Sequence, residues 1–197
     1  MAAMGTIRLA QQVREGAATS LRQVALVMLF LLSGCLVPGE KGIPFLNVSS
    51  AAFGEGAPIP VMYTCDGANV SPPLSWGAVP AGTAGIALVV SDPDAPRGTF
   101  IHWVAYNILP GTREIPAGAP GKTALPAGSV QGTNDFGRPA YGGPCPPPGK
   151  AHHYHFTIYA LDAPLALSGN RDAKALTQAV AGHILARGEL VGIYQRK

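Results

Sequence analysis

The fold is decided by one stretch of sequence, Ile86-Ala-Leu-Val-Val-Ser-Asp-Pro-Asp-Ala-Pro96. Its first half is a continuous apolar, β-branched run, which is typical of a buried central strand. The run ends at Asp92 and Asp94, which stand two residues apart and therefore point to one side of an extended chain. Two carboxylates on one side repel each other unless a donor or a cation lies between them. The stretch predicts a buried strand that leads into a polar corner, either a binding site or a turn with capping aspartates.

Further strands are predicted from short apolar or alternating runs at positions 101–109, 155–161 and 190–194. In the second of these runs, Phe156, Ile158 and Ala160 stand two apart, so they share one face of the strand. The pattern predicts that this face is buried.

One helix is predicted over residues 172–187. Leu176, Val180 and Ile184 stand four apart and form a single apolar stripe, and Gly188 follows as a stop signal. The connections between the strands are long and rich in Gly and Pro, which favour turns. The predicted class is therefore mostly β, with a C-terminal helix and long Gly/Pro-rich loops.

The composition excludes several classes of protein. Apolar residues make up 47% of the chain and charged residues only 13%, which excludes a disordered chain. The 25 Gly and 19 Pro residues follow no three-residue period, which excludes collagen. A net charge of +3 without a basic stripe gives no reason to expect a nucleic-acid partner.

The N-terminal region has the features of an export signal. Arg22 precedes an apolar run at 24–32, and nine residues of helix rise only about 14 Å, too little for a bilayer core of about 30 Å. The run ends in Leu32-Ser-Gly-Cys35, which resembles the bacterial lipobox, where a diacylglycerol is joined to the Cys thiol and the chain is cut before that Cys. An ordinary secretory signal and a retained buried helix are the alternatives.

This interpretation divides the chain into three parts. Residues 1–34 are predicted to be a lipoprotein signal peptide, residues 35–46 a tether that begins at the lipidated Cys35, and residues 47–197 one folded domain. The protein is then expected to be exported and anchored to a membrane through its lipid, at the outer membrane in a Gram-negative cell.

Four motifs stand in order along the predicted domain: Tyr63-Thr-Cys-Asp-Gly67 leading to Ser71-Pro-Pro-Leu-Ser-Trp76, Asp92-Pro-Asp-Ala-Pro96, Ile101-His-Trp-Val-Ala-Tyr-Asn107, and Tyr141-Gly-Gly-Pro-Cys-Pro-Pro147 continuing to His152-His-Tyr-His-Phe156 and Tyr159-Ala-Leu-Asp162. Together they resemble the phosphatidylethanolamine-binding protein family, in its bacterial branch of Raf-kinase-inhibitor-like proteins. The resemblance covers residues 47–195. It implies an antiparallel β-sandwich with a small anion pocket at one edge, and a cis bond between Ala95 and Pro96.

The residues of that pocket also make chemical sense by themselves. His152 and Tyr154 stand two apart and face one side of their strand. Imidazoles, a phenol and open backbone amides are donors that suit a phosphate or a carboxylate. The resemblance implies ligand binding by the following residues: Asp92, Asp94, His102, His152 and Tyr154, with Gly143, Pro144 and Pro146 along the wall. The alternative is that these residues serve only the fold.

Remaining His and Cys residues allow two further hypotheses. His153 and His155 share the opposite face of the same strand as a potential metal pair, but zinc needs three or four ligands, so exposed strand residues are the preferred interpretation and no metal is predicted. His183 is expected to pack beside the apolar helix stripe. In an oxidising compartment the two cysteines left after lipidation, Cys65 and Cys145, are predicted to form a disulfide, with two free thiols as the alternative.

The sequence contains no nucleophile elbow, phosphate-binding loop, dinucleotide turn or zinc-protease motif. We therefore predict a non-catalytic envelope lipoprotein, without a cofactor, that binds a small ligand through a phosphoryl or carboxylate head group. A protein-interaction role, such as inhibition of a protease or a kinase, is one alternative, with its protein partner unknown. A weak hydrolase is the other.

Overall fold

The folded domain is described by a computed structural model that covers residues 42–118, 125–167 and 172–197. Cys35, the predicted signal peptide and most of the predicted tether lie outside these described residues. Within the described part of the chain, no helix has the length and apolar character that crossing a membrane requires.

The described residues form nine strands and one α-helix. Their bounds are β1 (Val48–Ser49), β2 (Ala57–Pro58), β3 (Leu74–Trp76), β4 (Gly85–Asp92), β5 (Phe100–Ile108), β6 (Glu114–Ile115), β7 (Val130–Gln131), β8 (His152–Leu161), α1 (Ala173–Val180) and β9 (Ile184–Tyr194), with a 3-10 turn at Val61–Tyr63.

Two sheets make up the architecture. The small sheet has the order β1-β3-β6 and the large sheet has the order β2-β9-β8-β4-β5-β7. All neighbours are antiparallel except β2, which pairs in parallel with β9. The predicted strand at 86–90 is β4, and it lies between β5 and β8 as a central strand must. The predicted class, a mostly β sandwich with one C-terminal helix, is confirmed.

The main core fills the space between the two sheets. Phe156, Ile158 and Ala160 all lie in it, as their spacing predicts, together with Trp76 of the small sheet and Trp103 of the large one. The opposite face of the large sheet carries a second core, because residues one position along each strand point the other way. Helix α1 covers part of that face.

The predicted helix at 172–187 is too long. Asp172 caps the helix by accepting a hydrogen bond from the Ala175 amide at 2.8 Å, and Leu176 and Val180 are buried as predicted. The chain then turns at Gly182, whose φ of +82° suits glycine. Ile184 already belongs to β9, so the prediction failed at its C-terminal half. The stripe continued by coincidence, since the long-range ladder with β8 overrides the local helical pattern.

The last residues of the predicted tether lie against the large sheet. Leu46 donates a backbone hydrogen bond to the Arg187 carbonyl at 2.8 Å, and the Arg187 amide donates to the Pro44 carbonyl at 3.0 Å. Gly188 permits this approach, because a β-carbon there would lie 2.0 Å from the Leu46 carbonyl oxygen. Residues 44–46 are thus held on β9.

Candidate functional site

Strand order brings three polar residues to one edge of the large sheet, the edge where three interior strands begin or end. β4 ends at Asp92, and its antiparallel neighbours β5 and β8 begin on either side of that end. His152 is the first residue of β8, and His102 lies near the start of β5. Because antiparallel neighbours begin where the central strand stops, three distant chain segments meet at this edge.

His102 occupies an irregular position in its strand. Val90 pairs with Trp103 while Ser91 pairs with Ile101, so His102 is an extra residue in the β5 ladder. Such a β-bulge redirects a side chain, and bulges are frequent beside functional sites. The His102 ring is buried, with 3% of the residue exposed, and it lines a cavity at this edge.

This cavity, which we call the pocket, has a volume of about 230 Å³. It is lined by Asp92, Ala95, Pro96, Phe100, His102, Phe136, Cys145, Pro146, Pro147 and His152. The lining is mostly aromatic or proline, with one carboxylate and two imidazoles as its polar side chains. Three of the predicted ligand-binding side chains therefore converge here, as does Pro146 of the predicted wall.

Asp92 is held by two hydrogen bonds. One carboxylate oxygen, Oδ1, accepts from the Asp94 amide at 2.9 Å, and the other, Oδ2, lies 2.8 Å from Nδ1 of His152. Both side chains of the latter pair are at least nine-tenths buried. Since a carboxylate accepts, Nδ1 of His152 carries the proton, and Nε2 is left for a ligand.

His102 is held in one tautomer by the backbone. Its Nδ1 lies 2.8 Å from the Gly142 carbonyl oxygen, which can only accept, so Nδ1 is protonated. Burial lowers the pKa of this imidazole, which therefore stays neutral at pH 7. Its Nε2 then offers a lone pair. The expectation that both imidazoles act as donors is wrong for His102, because the Gly142 carbonyl already uses its donor.

Tyr154 lies beneath the pocket and does not line it. Its ring meets the His102 ring edge-on, with 5.2 Å between the centroids. The buried hydroxyl interacts with Asp92 but makes no hydrogen bond of normal geometry to any described residue. Burial, and then the charge of Asp92, raise the pKa of this phenol far above its ordinary value. The hydroxyl is thus a neutral donor at the base of the site.

Two aromatic residues that sequence analysis missed complete the pocket. Phe100 and Phe136 pack edge-on with 4.8 Å between centroids, and Phe136 also packs edge-on against His102. Arg138 lies over the outer face of Phe136 at 5.5 Å. No periodic pattern marks Phe136, since it stands in a loop that reaches the pocket only through tertiary contacts.

Asn134 organises the loop that carries Phe136. Its side-chain oxygen accepts from the Phe136 and Arg138 amides, and its side-chain nitrogen donates to the His102 and Ala140 carbonyls. Asn134 is itself buried, with 3% of the residue exposed. An Asn followed by a Gly-containing turn was the signal that the sequence held for this role.

The pocket wall at 145–147, together with the two residues before it, is tied to the loop after the 3-10 turn. Cys65 and Cys145 form the predicted disulfide, with 5.4 Å between their Cα atoms. The Cys65 amide donates to the Pro144 carbonyl at 3.0 Å, and the Gly143 amide donates to Oδ1 of Asn69 at 2.7 Å. Gly143 and Pro144 make these contacts behind the wall, so they support the pocket without lining it.

Asp94 also lies outside the pocket. Its Oδ2 accepts from the His153 amide at 2.9 Å and lies 2.7 Å from Nδ1 of His153, on the surface of the domain. These bonds to His153 lower the pKa of the Asp94 carboxyl. The turn at Pro93 separates the two aspartates, because the chain leaves the extended geometry that the prediction assumed.

The other histidines each have a carboxylate partner. His155 lies 3.1 Å from Glu189, and His183 lies 2.7 Å from Asp162. His153 and His155 therefore point to different partners, and no group of three potential metal ligands occurs among the described residues. His183 is half exposed and follows the helix, so the expectation that it packs beside the helix stripe is wrong.

The bond between Ala95 and Pro96 is trans, which corrects the cis expectation. The chain reverses by another route: the Gly98 amide donates to the Ala95 carbonyl at 3.1 Å, with Gly98 at a φ of +97°. A glycine in the left-handed region closes this turn, so no cis bond is required.

Solved structures of similar proteins share this architecture. A homologue of phosphatidylethanolamine-binding protein from Chlamydia trachomatis is 38% identical with a TM-score of 0.70, and the match covers 77% of this chain and 98% of that one. The Escherichia coli protein YbcL, described as a member of the mammalian PEBP family, is 34% identical with a TM-score of 0.71, covering 77% and 99%.

Sequence comparison agrees. A UPF0098 protein of Pyrococcus horikoshii is 47% identical over 182 residues, which is 90% of either chain. The family model described as phosphatidylethanolamine-binding protein matches residues 49–195. The chain therefore belongs to the phosphatidylethanolamine-binding protein family.

Proposed function

We propose that this protein is a non-catalytic lipoprotein of the cell envelope, whose pocket binds a small ligand by a phosphoryl or carboxylate head group. The observation that carries the proposal is the convergence of Asp92, His102 and His152 on one partly open cavity. Burying polar side chains costs stability unless partners satisfy them. In this fold, buried imidazole and carboxylate groups line a cavity, where a ligand can complete their hydrogen bonding.

The charges of the lining restrict the ligand. Asp92 is the one carboxylate and no Lys or Arg lines the pocket among the described residues. Nε2 of His152, like that of His102, is left with a lone pair, because Nδ1 carries the proton. Neutral His102 accepts from an ammonium or an acid O–H. A mono-anionic or zwitterionic head group fits these groups better than a polyphosphate does.

The location follows from Leu32-Ser-Gly-Cys35, which lies outside the described residues. We propose export, cleavage before Cys35 and anchoring by a diacylglycerol on its thiol, which holds a protein to a bilayer more stably than one acyl chain does. Leu36 follows that cysteine, so in a Gram-negative cell the proposed site is the outer membrane.

The test is a titration of the full chain in detergent with phosphorylethanolamine and with inorganic phosphate. We expect His152→Ala to weaken binding by about tenfold, the loss of one hydrogen bond to the ligand. His183→Ala is the matched control, because His183 pairs with Asp162 at 2.7 Å outside the pocket lining.

Two results would contradict the proposal. One is equal affinity of wild type and His152→Ala for both ligands. The other is that His152→Ala unfolds the domain without a separate loss of binding, which would make His152 a structural residue.

A hydrolase is the second candidate, favoured by the Asp92–His152 pair, since a carboxylate that orients an imidazole can make it a general base. Its nucleophile would be water, because the lining contains no Ser or Thr and Cys145 is in the disulfide. Assays with aryl ester and aryl phosphate substrates decide between the two: turnover that His152→Ala abolishes would favour the hydrolase over a pure binding protein.

A further inference from the structure

An exposed apolar patch lies where the chain enters the domain. Phe45 is 75% exposed and Ile43 is 56% exposed, and together with Arg187 they form what we call the entry patch. Phe45 is the most exposed large apolar side chain among the described residues. A cavity of about 360 Å³, which Gly188 and Glu189 also line, opens beside it. Exposed aromatic side chains of this kind mark contact surfaces.

The patch is a fixed part of the domain. Phe45 bridges Arg187 in parallel register, and hydrogen bonds from the flanking residues run to and from the Arg187 backbone. The Arg187 guanidinium donates to Glu189 at 2.8 Å and lies over the Tyr159 ring at 5.9 Å. The sheet therefore holds Phe45 outward.

The entry patch and the pocket lie toward opposite ends of the same two strands. Arg187 pairs with Tyr159, whereas His152 of the pocket pairs with Tyr194. Tyr159 lies seven positions after His152 along β8, which is about 23 Å at the usual rise per residue. A surface that touches the entry patch therefore lies on the order of 20 Å from the pocket.

We infer that the entry patch rests on the bilayer surface, so that the pocket opens to the aqueous phase and takes a water-soluble ligand, not a lipid of the anchoring bilayer. The inference rests on the proposed lipid at Cys35. Ile43 lies eight positions after Cys35, and eight residue steps can span no more than about 29 Å even when fully extended. The patch is therefore the part of the described domain that lies nearest to the anchor along the chain.

The chemistry of the patch suits a lipid surface. Phe and other apolar side chains of membrane-surface segments bury at the boundary between head groups and acyl chains. Arg187, with half of its side chain exposed, can donate to lipid phosphates beside Phe45. A bilayer surface covers the exposed side chains of Phe45 and Ile43 and leaves the pocket free.

The first experiment distinguishes a lipid head group from a free ligand. The lipidated full chain is reconstituted in phosphatidylglycerol vesicles with and without phosphatidylethanolamine, and the Kd for phosphorylethanolamine is measured. We expect the same Kd, within about twofold, because a distance of about 20 Å exceeds the Debye length of about 8 Å and the reach of an embedded head group. A Kd that rises with the phosphatidylethanolamine content would overturn the inference, since the bilayer lipid would then compete for the pocket.

The second experiment locates the membrane contact. Hydrogen exchange is compared between vesicle-bound wild type and an Ile43→Ser/Phe45→Ser variant. We expect the peptide around residues 186–190 to exchange several-fold faster in the variant, with no change at 134–138, the loop that carries Phe136 of the pocket. Val61→Ser is the control, because Val61 is 53% exposed and belongs to the 3-10 turn near the disulfide.

The outcomes separate this inference from the proposed anchoring. A protein that carries the lipid mass on Cys35 and floats with the vesicles, but shows equal exchange in both forms or protection at 134–138, leaves the anchor standing and overturns the orientation. A protein without that mass that fails to float overturns the anchoring, and the orientation with it.

Discussion

Nδ1 of His152 lies 2.8 Å from Oδ2 of Asp92, and both side chains are almost completely buried at the edge of the pocket. A second pair of the same kind, His183 with Asp162 at 2.7 Å, is half exposed. The two pairs share their chemistry and differ in burial. They therefore offer a controlled comparison of what a buried pair does in this fold.

Asp92→Asn is expected to lower the free energy of unfolding by about 1–3 kcal/mol, because it disturbs a buried pair and leaves a buried donor poorly matched. Asp162→Asn should cost no more than about 1 kcal/mol, since water screens the exposed pair. Urea unfolding at neutral pH measures both. Equal losses in the two variants would show that burial does not set the strength of the Asp92 contact.

His102 should make the domain less stable in mild acid. Burial lowers the pKa of His102 in the folded state, so the unfolded chain binds the proton more tightly. The contribution of neutral His102 is complete above the ordinary imidazole value of about 6.5 and is lost as the pH falls toward the folded pKa. One such group changes stability by at most about 1.4 kcal/mol per pH unit.

Comparison with His102→Gln isolates this effect, because Gln retains a donor for the Gly142 carbonyl and does not titrate. Urea unfolding of both proteins between about pH 8 and about pH 5 should show a shallower decline for the variant. Parallel curves would mean that His102 takes up its proton equally in the folded and unfolded states.

The disulfide closes a separation of 80 residues, for which the chain-entropy relation gives about 4–5 kcal/mol, with measured losses commonly about 2–5 kcal/mol. Cys65→Ser/Cys145→Ser should therefore lower the Tm. It should also weaken phosphate binding, because Cys145 lines the pocket. Calorimetry and titration measure the two effects. An unchanged Tm would indicate that the backbone hydrogen bond to Pro144 suffices to hold the wall.

Gly143→Ala is expected to destabilise the pocket wall. A β-carbon there would lie 2.3 Å from the Tyr63 carbonyl oxygen and 2.7 Å from Oδ1 of Asn69. Relieving such overlap costs about 1–3 kcal/mol and displaces the loop. Gly77→Ala is the control, because nothing lies within 4 Å of its added carbon. Thermal unfolding of both variants, and phosphate binding by both, would reveal the difference; a Gly143→Ala protein that matches Gly77→Ala in both respects would contradict the assignment of close contact.

Lipidation at Cys35 is tested by mass spectrometry of protein extracted from membranes of the native host. We expect a chain that begins at Cys35 and carries added acyl mass. Cys35→Ser should remove that mass and release the protein from the membrane fraction. A wild-type product that still contains residues 1–34, or that carries no acyl group, would rule out the lipoprotein assignment.

Local sequence patterns determined the central elements of this fold. The apolar run at 86–90 favours a buried strand whichever strands lie beside it. The two-residue alternation of Phe156, Ile158 and Ala160 places one face of β8 in the core. The motifs around Asp92, His102 and His152 indicated the family and predicted the polar residues of the pocket. These features depend on side-chain type and on the geometry of a single strand, so they can be predicted from the sequence.

Long-range contacts decided the rest. The helix ends at Val180 because β9 pairs with β8, an interaction that no local window contains. Phe136 enters the pocket because Asn134 anchors its loop to the carbonyl of His102. His102 becomes an acceptor only through the Gly142 carbonyl, 40 residues away. Each of these outcomes depends on which distant backbone group lies within hydrogen-bond reach, and tertiary structure alone determines that.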